Sequence, residues 1–463
     1  MNRAERRTIF GAATGLAVGF AMTLASSAAF AESLDEALIS AYQNNPTLLA
    51  ERAELRATDE GVASAQSGWR PTVQIDGDFG FSETETTTVT GGFTTKTENS
   101  LRPRSFSLSV TEPLYRGGRT SAETRSAKNL VDAGRAALAQ TEQGVLLDAV
   151  TAYMDVLRTQ SVVELNRHNE RVVARQHQAA RDRFEVGEVT RTDVAQAEAR
   201  VAQAKADRIG AEGNLISARA TYRQIIGDLP GRLGWPASLA GVPSSESEAL
   251  QIANVANPSI IGADFVERSA RDDIDIALSD LLPQVSLRGG YDRQYDVSSV
   301  TERADSLSLS AIVTVPLYQS GAEHASVRRS KQIASQRRLE FEEARGAVLE
   351  EVTRAWEALI TARAKIAAFE SQVRAAELAL EGVEQEVLVG LRTTLDVLDA
   401  EQELFTARVN LVGAERDAVV SSYWVRSTVG ELTAEALGLS VVRYDVDAHY
   451  RAVSGKWFGL SAD

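Results

Sequence analysis

Two carboxylates three residues apart, Asp396 and Asp399, lie in the stretch "VGLRTTLDVLDA" (389–400) and share one face of any helix that carries them. Paired acids are the material of acid–base or cation chemistry. Read by themselves they are ordinary first-turn acids, favoured at a helix N-terminus by the macrodipole. Other reactive groups are sparse. The four histidines (His168, His177, His324 and His449) are scattered, no HExxH or GxSxG occurs, and cysteine is absent. Disulfides, zinc–thiolate sites and thiol nucleophiles are thereby excluded. An enzyme is not expected, and no catalytic, cofactor-binding or metal-binding residue is assigned.

The stretch occurs twice. "VGEVTRTDVAQAEAR" (186–200) repeats its Val-Gly, Thr, Asp-Val and Ala-Glu in the same frame at an offset of 203. "SLDEALISAYQNNP" (33–46) likewise matches "SESEALQIANVANP" (245–258) at an offset of 212. Ser33 with Glu36, and Ser245 with Glu248, read as capping boxes that open a helix. Pro71 and Pro283 keep the offset of 212, whereas "VTEPLYRGG" (110–118) and "VTVPLYQSG" (313–321) have moved to 203. One gap of nine residues therefore lies between Pro71 and Pro113, where a surface loop absorbs it.

The elements flanking that loop alternate. Val73, Ile75, Phe79 and Phe81 interleave with polar residues, as do Phe106, Leu108 and Val110, then Val285, Leu287 and Tyr291, then Leu307, Leu309, Ala311, Val313 and Val315. Each copy thus predicts a hairpin of two strands about ten residues long, at about 71–113 and 283–316. Ten tilted residues cross roughly 25 Å of hydrocarbon. Four strands cannot close a barrel, since about eight is the practical minimum, so a barrel here requires several chains.

The rest predicts very long helices. No proline occurs from Gly118 to Val186 or from Ala322 to Val389, and either run could extend about 100 Å. Val131, Leu138 and Val145 recur every seven residues, and on the return helix Val194 with Val201, Ile209 with Ile216, and Leu215 with Tyr222 do the same, which is coiled-coil spacing. Many seam positions are alanine, so packing among several helices is expected. The domain reading is a signal peptide at 1–31, a first repeat at 32–227 with its tip near 187, a linker at 228–245, a second repeat at 246–430 with its tip near 390, and a C-terminal equatorial segment at 431–463.

The leader is read from Arg3, Arg6 and Arg7, the apolar run Ile9–Leu24 and the Ala29-Phe30-Ala31 cleavage signal. Its removal before Glu32 takes three Arg and one Glu from a chain of net charge −15, leaving about −17 (46 basic against 63 acidic). So acidic a chain is a poor partner for nucleic acid or an anionic membrane surface. No second apolar stretch of 18 residues exists, so membrane contact must come through a barrel.

The Val-Gly stretches now fall at the turns of two helical hairpins. Gly187 and Gly390 suit the left-handed position that closes a helix. Thr190 with Asp193, and Thr393 with Asp396, have capping-box spacing. With the paired Asn45-Pro46 and Asn257-Pro258, the paired "PLYxxG" and the "VGxRTxxDVLDA" of residues 389–400, essentially the whole mature chain resembles the TolC family of outer-membrane channel-tunnels.

That resemblance implies a mainly α fold with a membrane β-barrel: a homotrimer with four strands per chain in a 12-stranded barrel, and a long antiparallel coiled-coil α-barrel in the periplasm. It implies an outer-membrane location in contact with lipid. Its partners would be a periplasmic adaptor (a membrane fusion protein) and an inner-membrane transporter, in a tripartite efflux pump or type I secretion system. Val186, Gly187, Thr190, Val389, Gly390, Leu391 and Thr393 correspond to the tips that adaptors grip. Asp396 and Asp399 correspond to carboxylate rings at the periplasmic entrance. Arg392, with Thr192 and Asp193 on the other tip, corresponds to links that close it. Two departures stand out: Val387 replaces a tyrosine and Glu415 an arginine, so half of the lock is missing and a differently latched entrance is expected. The alternative is an exported coiled-coil adaptor or surface structural protein, against which the two hairpins and amphipathic strands argue. The cargo is not encoded in these features.

Overall fold

The computed structural model describes residues 32–237 and 239–461; the expected leader lies outside them. The first half runs α1 (Leu34–Asn44), α2 (Pro46–Gln66), β1 (Thr72–Phe79), β2 (Ser82–Thr90), β3 (Phe93–Leu101), β4 (Arg104–Arg116), α3 (Arg119–Glu185) and α4 (Arg191–Ile226). The second runs α5 (Glu246–Ala256), α6 (Pro258–Ser279), β5 (Gln284–Ser298), β6 (Thr301–Thr314), α7 (Ala322–Leu388) and α8 (Thr394–Thr428), followed by the short α9 (Ala448–Val453).

The repeated Asn-Pro has a specific task. Asn45 caps α2 by accepting from Thr47 N at 2.9 Å, while its amide donates to Ile225 O at the end of α4, also at 2.9 Å. Asn257 caps α6 through Ser259 N and donates to Thr428 O at the end of α8, both at 2.8 Å. One side chain thus satisfies orphan groups on two helix ends, and the proline supplies a first-turn residue with no N–H to lose. Ser33 and Glu36 form the full capping box. The second copy differs: Ser245 caps Glu248 N, but the Glu248 carboxylate takes Ser244 N and Oγ instead of closing the box on Ser245.

α3 and α7 each run for 67 residues, about 100 Å. α3 pairs with α4 and α7 with α8, and α2 and α6 continue the row beside them, in the order α2, α3, α6, α7. Val131, Leu138 and Val145 are buried as their spacing predicts. The return helices correct one expectation. Ile209 and Ile216 are 55% and 69% exposed in the single chain, and the buried stripe is alanine: Ala197, Ala204 and Ala211 on α4, matched by Ala407 and Ala414 on α8. Both stripes repeat at seven, and the smaller side chains take the seam because they let the backbones approach.

The sheet has the order β1-β4-β5-β6, antiparallel throughout. One face carries Val73, Ile75, Phe79, Leu108, Leu307 and Leu309, and the other Gln74, Asp76, Asp78, Ser107 and Arg288. The apolar face is largely open, with Phe79 at 83% exposure. The reading of a single surface loop in the first copy, and of four strands in all, is also corrected. The segment between β1 and β4 folds into a second two-stranded unit, β2–β3, because its Ser/Thr-rich alternation closes around the positive-φ turn Gly91-Gly92. No helix among the described residues is long and apolar enough to cross a membrane.

The connector after α4 and the tail after α8 wrap one apolar core around Tyr153, Tyr222 and Leu432. Tyr222 Oη donates to the Glu32 carboxylate at 2.6 Å, and Arg52 lies between the rings of Tyr42 and Tyr444, 4.6 and 5.2 Å from their centroids.

Candidate functional site

The candidate site is the pair of tips where α3 turns into α4 and α7 into α8. Both turns are built alike. Gly187 (φ 79°) donates to Phe184 O at 3.0 Å and Glu188 N to Arg183 O at 2.9 Å. Gly390 (φ 76°) donates to Val387 O at 3.1 Å and Leu391 N to Glu386 O at 2.9 Å. These are Schellman closures, in which the left-handed residue is best glycine. Thr190 then opens α4 and Thr393 opens α8, each in a full capping box with Asp193 or Asp396. Val186, Val389 and Leu391 stand exposed around the glycines.

The expected entrance acids differ in surroundings. Asp396 accepts from Thr393 N at 2.8 Å and Thr393 Oγ1 at 2.7 Å, with the Arg392 guanidinium at 3.6 Å. The Thr393 hydrogen bonds, aided by Arg392, hold its carboxyl below the usual range, so it stays ionised. Asp399 accepts a 2.7 Å hydrogen bond from Arg200 Nη2 on α4. This ion pair joins the two coils near their tips. Arg200 lies within the repeated stretch, but helical periodicity gives no register between separate hairpins, so the sequence carries no sign of its partner. Leu398 supports the junction, packing with Ala197, Ala180 and Val173.

The expected link from Arg392 to Thr192 and Asp193 is not formed within the chain. Arg392 Nε bonds Glu386 at 3.0 Å on its own tip, Asp193 is engaged in the cap of α4, and Thr192 is exposed. Val387 borders a tip cavity of about 260 Å³ with Leu388, Thr394 and Val397. Glu415 lies well back from the tip, in a groove with Leu165, His168 and Arg408. Burial, with Glu370 adding repulsion, pushes its carboxyl up. Glu401 is raised in the same way, by burial and then Glu384. Nearer the equator Arg416 Nε bonds Asp155 at 3.0 Å, a second tie from α8, here to α3.

Comparison with known proteins extends these observations. The family model described as "Outer membrane efflux protein" matches residues 37–228 and 249–431, one segment for each half. The chain is 37% identical to outer membrane efflux protein BepC of Brucella suis biovar 1, over 98% of both chains. It is 31% identical to outer membrane protein TolC of Vibrio cholerae, over 91% of this chain and 95% of that one. Among solved structures, the Campylobacter jejuni CmeC outer membrane channel superposes with a TM-score of 0.75 at 15% identity, covering 91% of this chain and 89% of that one; at that identity the likeness concerns the fold.

Proposed function

The chain belongs to the outer membrane efflux protein family, and from that premise we propose that three copies form one closed duct, the exit segment of a tripartite efflux pump or type I secretion system. The protein is an outer-membrane channel with a long periplasmic extension.

The observation that carries the closed duct is a matched pair of open edges. In the sheet, β1 and β6 each lack a neighbour on one side among the described residues. Strand direction alternates along β1-β4-β5-β6, so β6 of one copy can meet β1 of the next in the same antiparallel sense. The helices repeat the pattern: α3 is flanked by α2 and α6, whereas α7 has α6 on one side and, among the described residues, no counterpart on the other. At the foot of α3, Arg119 Nη2 bonds Asp280 just past α6 at 2.5 Å. At the foot of α7, Leu317 and Tyr318 are 93% and 84% exposed. The partner that α6 provides to α3 would reach α7 as α2 of the next copy. The stoichiometry of three is what the family resemblance implies. Twelve strands then exceed the roughly eight whose interior side chains fill the barrel, leaving a lumen.

In this assembly the tips ring the periplasmic entrance. Asp396, ionised and uncancelled except by the more distant Arg392, supplies a ring of carboxylates that attracts cations. Asp399 is compensated by Arg200, and that pair takes over the latching left vacant by Val387 and Glu415. Arg392, Thr192 and Asp193 act as further gate residues between neighbouring copies. The exposed Val186, Val389 and Leu391, with Gly187, Gly390, Thr190 and Thr393 setting the turns, form the surface an adaptor grips, and an inner-membrane transporter completes the conduit. The role is transport, with no catalytic step. Reconstitution in planar bilayers tests it: cation-selective pores are expected, with Asp396→Asn lowering the selectivity, and a protein that inserts without conducting overturns the reading.

A further inference from the structure

The ribbon β2–β3 has no counterpart in the second half, where β5 turns directly into β6. Its register is informative. The pairing of β1 with β4, from Thr72↔Thr111 to Phe79↔Arg104, resumes at Ser82↔Leu101 without a slip and continues to Thr90↔Phe93. The two units are therefore one long hairpin interrupted at Gly80-Phe81 and Arg102-Pro103. There a single hydrogen bond, Gly80 N to Pro103 O at 2.9 Å, spans the gap. A glycine opposite a proline, which has no N–H to give, makes a hinge.

Because the register does not slip, each face of the ribbon continues a face of the sheet below it. The polar, lumen-side face leads into Thr84, Thr86 and Thr88 opposite Asn99, Thr97 and Thr95 and carries no charge. All four charged residues of the ribbon, Glu83, Glu85, Lys96 and Glu98, occupy the other face, where Lys96 Nζ pairs with Glu85 at 2.6 Å. Every residue of β2 is exposed, and a lone two-stranded hairpin is marginal in water. The segregation of charge marks the threonine face as the one that a partner covers.

We propose that this uncharged face meets the same face of the ribbons of the neighbouring copies, so that three hinged ribbons lean together and narrow the outer mouth of the duct. The inference rests on the channel reading above, which puts the hairpin ends outside the cell and three ribbons around one mouth. The dimensions suit it. Nine residues of strand span about 30 Å, whereas a twelve-stranded barrel with strands 4.8 Å apart and tilted about 40° has a radius of about 12 Å. The right-handed twist of a two-stranded ribbon lets three of them wind about the axis with one face kept inward.

The chain has no cysteine, so single substitutions report cleanly. Thr86→Cys and Thr88→Cys particles are oxidised, denatured and run on a non-reducing gel, with Thr87→Cys on the opposite face as the control. At least one of the first two is expected to give disulfide-linked dimers severalfold above the control, since a disulfide needs Cα atoms within about 7 Å. Equal or absent cross-linking at all three positions, in particles that still conduct, overturns the lid and leaves the channel standing. Particles that do not conduct remove the channel reading, and the lid with it.

Discussion

Arg200 and Asp399 show how a site residue can be hidden in plain sequence. Both lie in the two echoing stretches, and only the packing of α4 beside α8 brings them to 2.7 Å. The capping roles of Thr190, Asp193, Thr393 and Asp396, by contrast, were legible, because a box depends on residues three apart in one segment. The pair is exposed, and an exposed ion pair contributes about 0.2–1 kcal/mol. Three copies acting together would then shift a closed–open equilibrium by roughly threefold to 160-fold, which suits a latch that adaptor docking must release. Arg200→Gln is expected to raise single-channel conductance, and Arg200→Asp combined with Asp399→Arg to restore the closed level. An Arg200→Gln channel as tightly closed as wild type would assign the latch elsewhere.

At the scale of elements, the helical hairpins and the alternating strands follow from local pattern, as the buried Val131, Leu138 and Val145 show. The choice between two heptad stripes on α4 does not: Ile209 and Ile216 have the spacing, and Ala197, Ala204 and Ala211 have the seam, because tight backbone approach outweighs side-chain size there. The ribbon β2–β3 escaped for another reason. Both of its faces are mainly hydrophilic, with threonine on each, so no apolar period marks it. On α8, burial raises Glu415 and Glu401. A carboxyl raised on folding favours the folded state below its unfolded value near 4.5, and that contribution is lost as pH rises through the folded value. The coil is thus weakened at neutral pH. Glu415→Gln is expected to raise the thermal midpoint at pH 7 and to flatten its rise on acidification above pH 4.5, followed by circular dichroism. An unchanged pH profile would show that Glu415 is solvated in the assembled particle.

For the whole molecule, duplication explains why one chain is incomplete. Each half supplies two strands to the main sheet and one extended helical coil, and the second half uses the first as its neighbour, as α6 uses α3. The series β1-β4-β5-β6 and the series α2, α3, α6, α7 end at matching open edges, so the same step that joins the halves joins one copy to the next. The exposed apolar face of the sheet and the exposed Leu317 and Tyr318 become lipid contact and subunit contact in one operation. The most direct test is the protein mass of the detergent-solubilised particle, corrected for bound detergent. Three times the mass of the processed chain is the predicted result. A particle of one chain, remaining in solution when detergent is withdrawn, would contradict the closed duct and everything derived from it.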